Sequence, residues 1–391
     1  MAVEQRSRGC KPFHCSREES NDPVYPEAVK GANVCRLLLW GASPTVSCAV
    51  TFFPAASRRP SNDYAVLRQL LIDQGLLRRQ PGYFIVKIIV NASLLALAIL
   101  LLFFVHHLWL VLLAAAFSAF VFGQIGLLGH DAGHRQIFSS GRIDTIVGYV
   151  CASILGMSFA QWVEKHNAHH AHPNRDDMDP DIDFPMLAFS ESQARETKGI
   201  FRFIVRHQAA LFFPMLCFTS LSLRVGSVQY FLRRRIAKTW LDILLMAAHF
   251  AAYFTLVFLL LSPLHAVIFI LAHQAMFGLY LGLVFAPNHK GMPVLAKDTQ
   301  IDFLREQVLT ARNVRSNPLI DFWYGGLNFQ IEHHLFPTMP RKNLRSARRI
   351  IKDFCRTHQI PYYETGMLRS YVEILRHMHR VGRSISLFSH P

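Results

Sequence analysis

The chain has 391 residues, of which 51% are hydrophobic and 17% are charged, and its formal net charge is +15. About a quarter of the residues in a soluble domain are usually charged, so this composition argues against an ordinary soluble protein. A nucleic acid is one partner for so much positive charge, but the charges avoid two long segments of the chain, and this placement argues against it.

Residues 1–60 differ from the rest because they hold four of the seven cysteines and several prolines, without a sustained periodicity. We predict that this segment is mostly disordered and that residues 61–391 form one membrane domain. Ser61 is a plausible cap for a first helix that runs through Leu77. The cysteines form no CxxC pair and, with a cytoplasmic bulk, are interpreted as reduced thiols.

Two segments contain no Lys or Arg: Ile88 through His134, and Thr239 through His289. Each is long enough for two helical spans of about 20 residues and a tight turn. Four long, nearly uncharged segments favour membrane spans over two buried hairpins of a soluble protein. The predicted spans are Tyr83–Val105, Leu110–Leu128, Trp240–Leu261 and Ala266–Ala286, with turns at 106–109 and 262–265.

The orientation of these spans follows from the charges around them. Both turns lack Lys and Arg, whereas the segments before, between and after the two hairpins are rich in them. The positive-inside rule therefore predicts that both termini are cytoplasmic. The excess positive charge also suits anionic membrane lipid and an acidic protein partner.

Between the hairpins, Ile143–Val163 is apolar but interrupted by glycines, and we interpret it as a buried or interfacial helix. Ala209–Val225 contains Pro214 and is interpreted as an interfacial segment, because a fifth span would change the side of the membrane on which the chain continues. The acidic run from Asp176 to Asp183 lacks the glycine and closing glutamate of an EF-hand, so a solvated loop is the better interpretation.

Two C-terminal helices are predicted from apolar stripes at helical spacing. The two stripes are Leu344, Ala347, Ile351 and Phe354, followed by Leu368, Tyr371, Val372, Leu375 and Met378. These faces either lie on the cytoplasmic membrane surface or pack on a cytoplasmic cap.

Three histidine clusters carry the chemistry: HDAGH at 130–134, HNAHH at 166–170 and QIEHH at 330–334. A spacing of three or four residues places side chains on one helical face. Imidazole suits iron, copper, zinc and nickel, and seven histidines are too many for one closed zinc site. Two metal ions with open positions fit this number better. With His289 as an eighth, the predicted ligands are His130, His134, His166, His169, His170, His289, His333 and His334.

Several polar neighbours are predicted to support these ligands. Asp131 and Glu332 are expected to hold ligands by hydrogen bonds, and Asn167 and Asn288 lie beside them in the sequence. Gln330 takes the position of a third histidine in its cluster, where its amide can orient water or a ligand. His249, His273 and Gln274 lie inside predicted spans, where polar groups usually face the bundle interior, and we expect them to line a substrate channel.

With these motifs the chain resembles the membrane fatty acyl desaturases, from roughly Ser61 to the C-terminus. The sequences HDAGH, HNAHHAHPN and QIEHHLFP are similar to the front-end, delta-6-like branch, which includes acyl-lipid and acyl-CoA enzymes. The resemblance implies an all-α, multi-pass membrane protein with four transmembrane helices in two hairpins and a cytoplasmic helical cap. It also implies that the cap holds two iron ions.

The resemblance further implies a reaction with dioxygen that leaves a cis double bond in an acyl chain. Many members of this branch carry a fused cytochrome b5 domain with an HPGG motif, which this sequence does not contain. A separate electron donor of the ferredoxin or cytochrome b5 type is therefore expected. The region from Arg341 to Arg383 is strongly basic and is predicted either to dock this donor or to face anionic lipid.

Two other functions remain open from the sequence. A related di-iron membrane hydroxylase would share the clusters but leave oxygen on its product, so product mass distinguishes it. A non-enzymatic membrane metal or haem binder is the second, and metal stoichiometry with an optical spectrum distinguishes that one.

Overall fold

The computed structural model describes residues 62–234 and 236–387. This part of the chain forms sixteen helices and one parallel pair of two-residue strands, so the predicted all-α class is confirmed. The predicted disorder of residues 1–60 and the cap at Ser61 lie outside the described residues. The first helix, α1 (Asp63–Asp73), is preceded by Asn62 and is shorter than predicted.

The first predicted hairpin is present as α2 (Pro81–Leu102) and α3 (Leu108–Gly133). Both helices are long and apolar enough to cross a membrane. Helix α3 continues five residues beyond the predicted end at Leu128, because the HDAGH motif is itself helical.

The region between the hairpins consists of short helices. They are α4 (Gly141–Leu155), α5 (Phe159–Ala171), α6 (Glu191–Glu196), α7 (Gly199–Arg206), α8 (Gln208–Leu216) and α9 (Thr219–Arg233). The single helix predicted over Ile143–Val163 is wrong. The chain bends there by 107° between α4 and α5, because Gly156 ends α4 in a left-handed conformation with φ of 69°.

The second predicted hairpin is present as α10 (Ile236–Leu260) and α11 (Pro263–His289). The turn is shorter than predicted because Pro263 already begins α11, a position that suits proline. These are the third and fourth helices able to cross a membrane. The number rises to six if the bent pairs α4–α5 and α8–α9 each count as one span.

The remaining elements form a helical cap. They are α12 (Phe303–Leu309), β1 (Asn313–Val314), α13 (Pro318–Trp323), α14 (Gln330–Leu335), α15 (Arg341–Thr357), β2 (Glu364–Thr365) and α16 (Met367–Leu387). Strand β1 pairs with β2.

The first predicted C-terminal stripe packs inside the protein. Leu344, Ala347, Ile351 and Phe354 of α15 lie in one core with Leu67 and Leu71 of α1. This favours the cap over the membrane surface for that face.

The second stripe is partly wrong. Leu368 and Val372 are 74% and 43% exposed, whereas Ile374 and Met378 of α16 are fully buried. The inward face of α16 also carries Glu373, which forms a buried ion pair with Arg312.

Candidate metal centre

The eight predicted ligands converge from four helices. His130 lies in the last turn of α3 and His134 is the residue that follows it. Helix α5 contributes His166, His169 and His170, α11 ends at His289, and α14 contributes His333 and His334. Segments that are far apart in the sequence therefore meet at one place, with seven of these eight side chains buried and His166 half-buried.

Their ring nitrogens form two groups, and within each group one nitrogen from every ring lies within 4.8 Å of the others. The first group comprises His130, His134, His166, His170 and His333, and the second comprises His169, His289 and His334. The groups adjoin, because the rings of His170 and His334 stack with centroids 4.1 Å apart. This arrangement offers two neighbouring metal positions.

The nitrogen separations fit metal binding. The Nε2 atom of His166 lies 2.9 Å from that of His134 and 3.1 Å from that of His170, and the Nε2 atoms of His289 and His334 are 3.0 Å apart. Two ligands at right angles on one ion, each about 2.1 Å from it, are separated by about 3 Å. The donor set therefore has the spacing that a shared ion requires.

Several buried ring nitrogens have no partner within the described part of the chain. They are Nδ1 of His130 and His170, and both ring nitrogens of His333. A buried polar atom without a partner is rare and needs an explanation. A metal bound by one ring nitrogen of His333 would supply a partner that the protein does not, so this cluster fits metal binding.

Burial keeps the imidazole rings of His333 and His334 neutral. It lowers the pKa of His333 and His334 well below the usual value, and neighbouring histidines lower it further. The neutral imidazole that results at neutral pH is the form that binds a metal.

In the second group, the Nδ1 atom of each histidine, which is turned away from the metal position, contacts a hydrogen-bond acceptor. Nδ1 of His169 lies 2.9 Å from Asp179, Nδ1 of His289 lies 3.0 Å from the carbonyl of Thr310, and Nδ1 of His334 lies 2.9 Å from Oε1 of Gln307. Each contact fixes the tautomer that directs Nε2 toward the metal position.

None of these three acceptors was anticipated from the sequence. Asp179 lies in the acidic run interpreted as solvated, and that interpretation is wrong for this residue, which is 2% exposed. Its carboxylate also accepts hydrogen bonds from the backbone N–H groups of Asn174 and Asp181. An alternation of Asp with other residues is common in solvated loops, so the sequence carries no signal that singles out Asp179.

The predicted supporting residues have varied positions. Asp131 is 3.9 Å from Nδ1 of His130, too far for a hydrogen bond, and instead forms a buried ion pair with Arg341. Asn167 is exposed, and the structure does not bring it to the histidines. The amide of Asn288 is buried and donates weakly to the backbone of its own helix, and its Oδ1 atom has no partner among the described residues.

Gln330 and Glu332 both lie inside the cap. The amide nitrogen of Gln330 is 2.9 Å from Nε2 of His289, and its buried Oε1 atom has no partner in residues 62–234 and 236–387. Glu332 accepts hydrogen bonds from Asn313 at 2.7 Å and from Tyr362 at 2.6 Å. Burial raises the pKa of Glu332 to about 7. Gln330 thus lies at the metal positions, whereas Glu332 anchors α14 from behind.

Residues 107–366 match the family model described as fatty acid desaturase. The chain is 31% identical over 335 residues to the Acyl-lipid (9-3)-desaturase of Physcomitrium patens, which covers 82% of this chain and 63% of that protein. It is 31% identical over 347 residues to the Delta(6)-fatty-acid desaturase fat-3 of Caenorhabditis elegans, a match that covers 85% of this chain and 77% of that protein. Fatty acid desaturase 3 of Bos taurus is 30% identical over 329 residues, a match that covers 82% of this chain and 73% of that protein.

The chain belongs to the fatty acid desaturase family, and its resemblance to the front-end branch is confirmed. It spans less than two thirds of the length of the Physcomitrium patens protein.

Proposed function

We propose that this protein is a fatty acyl desaturase that introduces a cis double bond into the acyl chain of a lipid or a CoA ester. Two iron ions held by the eight histidines would serve the reaction. The observation that carries the proposal is the convergence of eight histidines into two adjoining groups of ligand-spaced nitrogens, in a chain of the desaturase family.

The chemistry balances with an external donor. The two irons, when bound, would supply the activation of dioxygen that an alkyl chain requires. Two hydrogens leave adjacent methylenes, two electrons and two protons come from the donor side, and dioxygen becomes two molecules of water. Asp179, Gln307 and the carbonyl of Thr310 hold their histidines in fixed orientations, and burial excludes bulk water from the site.

A haem binder is a poorer fit to this geometry. A haem takes axial ligands on opposite faces of a wide ring, whereas these nitrogens lie about 3 Å apart in pairs. The mass of the product distinguishes a hydroxylase, which leaves oxygen on the product, from a desaturase.

The test is fatty-acid profiling by gas chromatography and mass spectrometry after expression in a host that lacks the activity. We expect a new product lighter than its precursor by two hydrogen atoms, and none with His333→Ala. A product that has gained an oxygen atom would identify a hydroxylase, and an unchanged profile across a range of supplied acyl chains would contradict the proposal.

We also propose that both termini and the metal centre are cytoplasmic. The support is that the α2–α3 and α10–α11 connections contain no Lys or Arg, whereas the cap is basic. Cysteines introduced at His106 and Ser262 should be labelled from the side opposite to one introduced at Arg349. Labelling of all three from one side would exclude this topology.

Finally, we propose a separate electron donor of the ferredoxin or cytochrome b5 type that docks on the exposed basic face of α15. The support is the charge of this helix, whose side chains Lys342, Arg345 and Arg349 are exposed. An acidic donor would be steered to such a surface.

A further inference from the structure

A cavity of about 450 Å³ lies between α9, α10 and α11. This volume is within the usual range of small-molecule sites. Much of its wall is apolar, formed by Leu221, Val225, Val228, Met246, Phe250 and Phe254. Leu221, Val225 and Val228 are about half exposed on the outer face of α9, so the cavity opens to the outside between these helices.

One arginine interrupts this apolar wall. Arg224 is 9% exposed, and its guanidinium lies 5.7 Å from the centre of the Phe250 ring. It donates to the carbonyl of Leu155 at 2.9 Å, to the carbonyl of Ser220 at 3.3 Å and to Oε1 of Gln274 at 2.5 Å. All three acceptors are neutral, so its positive charge remains uncompensated.

The guanidinium has donors to spare. Of its five N–H donors, the hydrogen bonds to these three acceptors leave two. One of these two is the buried Nε–H, which has no partner among the residues that the structure describes. Within residues 62–234 and 236–387, no carboxylate forms an ion pair with Arg224. A carboxylate or phosphate group can accept hydrogen bonds from two such donors on one guanidinium.

A buried cation without an anion is costly in an apolar region. Charged side chains there usually face a cavity, pair with an opposite charge and mark a binding site. The cavity therefore combines an apolar wall with one buried cation that has unused hydrogen-bond donors.

We propose that this cavity binds an anionic lipid, with its acyl chain along the apolar wall and a carboxylate or phosphate oxygen on the free donors of Arg224. The site is separate from the metal centre, because none of the eight histidines lines it. The proposal goes beyond the desaturase function and does not depend on it.

The test is equilibrium binding of three radiolabelled probes to the full chain in uncharged detergent. Oleate supplies a carboxylate, 1-oleoyl lysophosphatidate supplies a phosphate, and oleyl alcohol is the neutral control. We expect at least one anionic probe to bind about tenfold or more tightly than the alcohol, as a charge-assisted hydrogen bond gives. The anion that binds more tightly identifies the headgroup.

Two variants and a control locate the site. Arg224→Gln should reduce the affinity for the anionic probe to that for the alcohol, whereas Arg233→Gln, an exposed charge on the same helix, should not change it. Val228→Trp narrows the cavity while leaving the hydrogen bonds of Arg224 in place, and should weaken the binding of all three probes.

Equal affinity of the wild-type protein for anionic and neutral probes would overturn the proposal. So would an anion preference that persists in Arg224→Gln. Should Arg224→Gln fail to elute as a folded species on size-exclusion chromatography, Val228→Trp decides, and undiminished anion binding in that variant contradicts the site.

Discussion

At the residue scale, the carboxylate of Asp179 connects the loop after α5 to the metal centre. It contacts Nδ1 of His169 and accepts two backbone N–H groups, so its own position is fixed. A carboxylate behind a metal-binding histidine orients the ring and raises its basicity. The position of Asp179 therefore bears on metal affinity.

Replacing Asp179 with Asn should lower the affinity for iron about tenfold or more, because such supporting contacts are commonly worth that much. Asp177→Asn is the matched control, since Asp177 is 75% exposed in its side chain and Asn tolerates its positive φ of 61°. Iron titration of the metal-free protein measures both. Equal affinities of the two variants would show that Asp179 does not act through His169.

His170 and His172 provide a second matched pair. His170 belongs to the five-histidine group, whereas His172, two residues later, lies outside both groups and is 39% exposed in its side chain. We expect His170→Ala to lose bound iron and to abolish product, because a ligand is removed from a buried cluster. His172→Ala should retain both.

Metal analysis and product analysis of the two purified variants check this expectation. Loss of iron in both variants to the same extent would mean that the histidine run acts through folding alone.

At the scale of elements, the bend between α4 and α5 places HNAHH against the other clusters. Gly156 makes the bend with φ of 69°, and a Cβ atom there would lie 2.3 Å from the His249 ring. Gly199 also has a positive φ, of 56°, but a Cβ atom there would meet nothing within 4 Å. A comparison of substitutions at these two glycines distinguishes the effect of backbone strain from that of a steric clash.

Gly199→Ala should cost only the backbone penalty, about 1 kcal/mol. Gly156→Ala adds a clash that must displace the His249 ring or α5, so it should lower the thermal midpoint further and reduce bound iron. Thermal unfolding and metal analysis of both variants measure this. Identical behaviour of the two would contradict a role for the bend in placing α5.

The hairpins were predictable from sequence because hydropathy and missing charge are local signals. Their ends shifted by a few residues, since Pro263 and the helical HDAGH motif extend the helices. The angle between α4 and α5 and the inward face of α16 were not predictable, because they depend on partners distant in sequence. The buried ion pair between Glu373 of α16 and Arg312, 61 residues earlier in the chain, is one such contact.

Within the site too, local sequence patterns were predictive, whereas contacts between distant segments could not be predicted. The histidine spacing identified seven of the eight members of the two groups, since ligands at one turn of a helix leave a visible pattern. His289, which stands outside the three clusters, was predicted as an eighth ligand without that pattern. Gln307, Thr310 and Asp179 have no such pattern and become visible only when α12 and the loop after α5 pack behind the rings. Asp131 was expected to support a ligand by a hydrogen bond, but it forms an ion pair with Arg341 instead.

At the scale of the whole molecule, the charge of the cap is partly neutralised by its own ion pairs. Arg345 pairs with Asp321, and Arg348 pairs with Glu364. Lys342 and Arg349 are exposed, and neither forms an ion pair within the described part of the chain. These two side chains are the ones on α15 most available to an acidic donor.

The double variant Lys342→Glu with Arg349→Glu should weaken the apparent affinity for the donor, because it reverses charge without breaking an internal pair. The difference from wild type should shrink at 1 M salt, where the Debye length is about 3 Å. Turnover measured against donor concentration in uncharged detergent tests this, with exposed Lys198→Glu as the control. An unchanged dependence on donor concentration would exclude this face as the dock.

The proposal that one chain holds two irons in its eight histidines is checked by metal analysis of the purified, fully loaded protein, as the ratio of iron to protein. We expect two irons per chain for wild type and a lower ratio for His170→Ala, with His172→Ala at the wild-type ratio. A single metal per chain, or iron that stays at two per chain after His170→Ala, would contradict it.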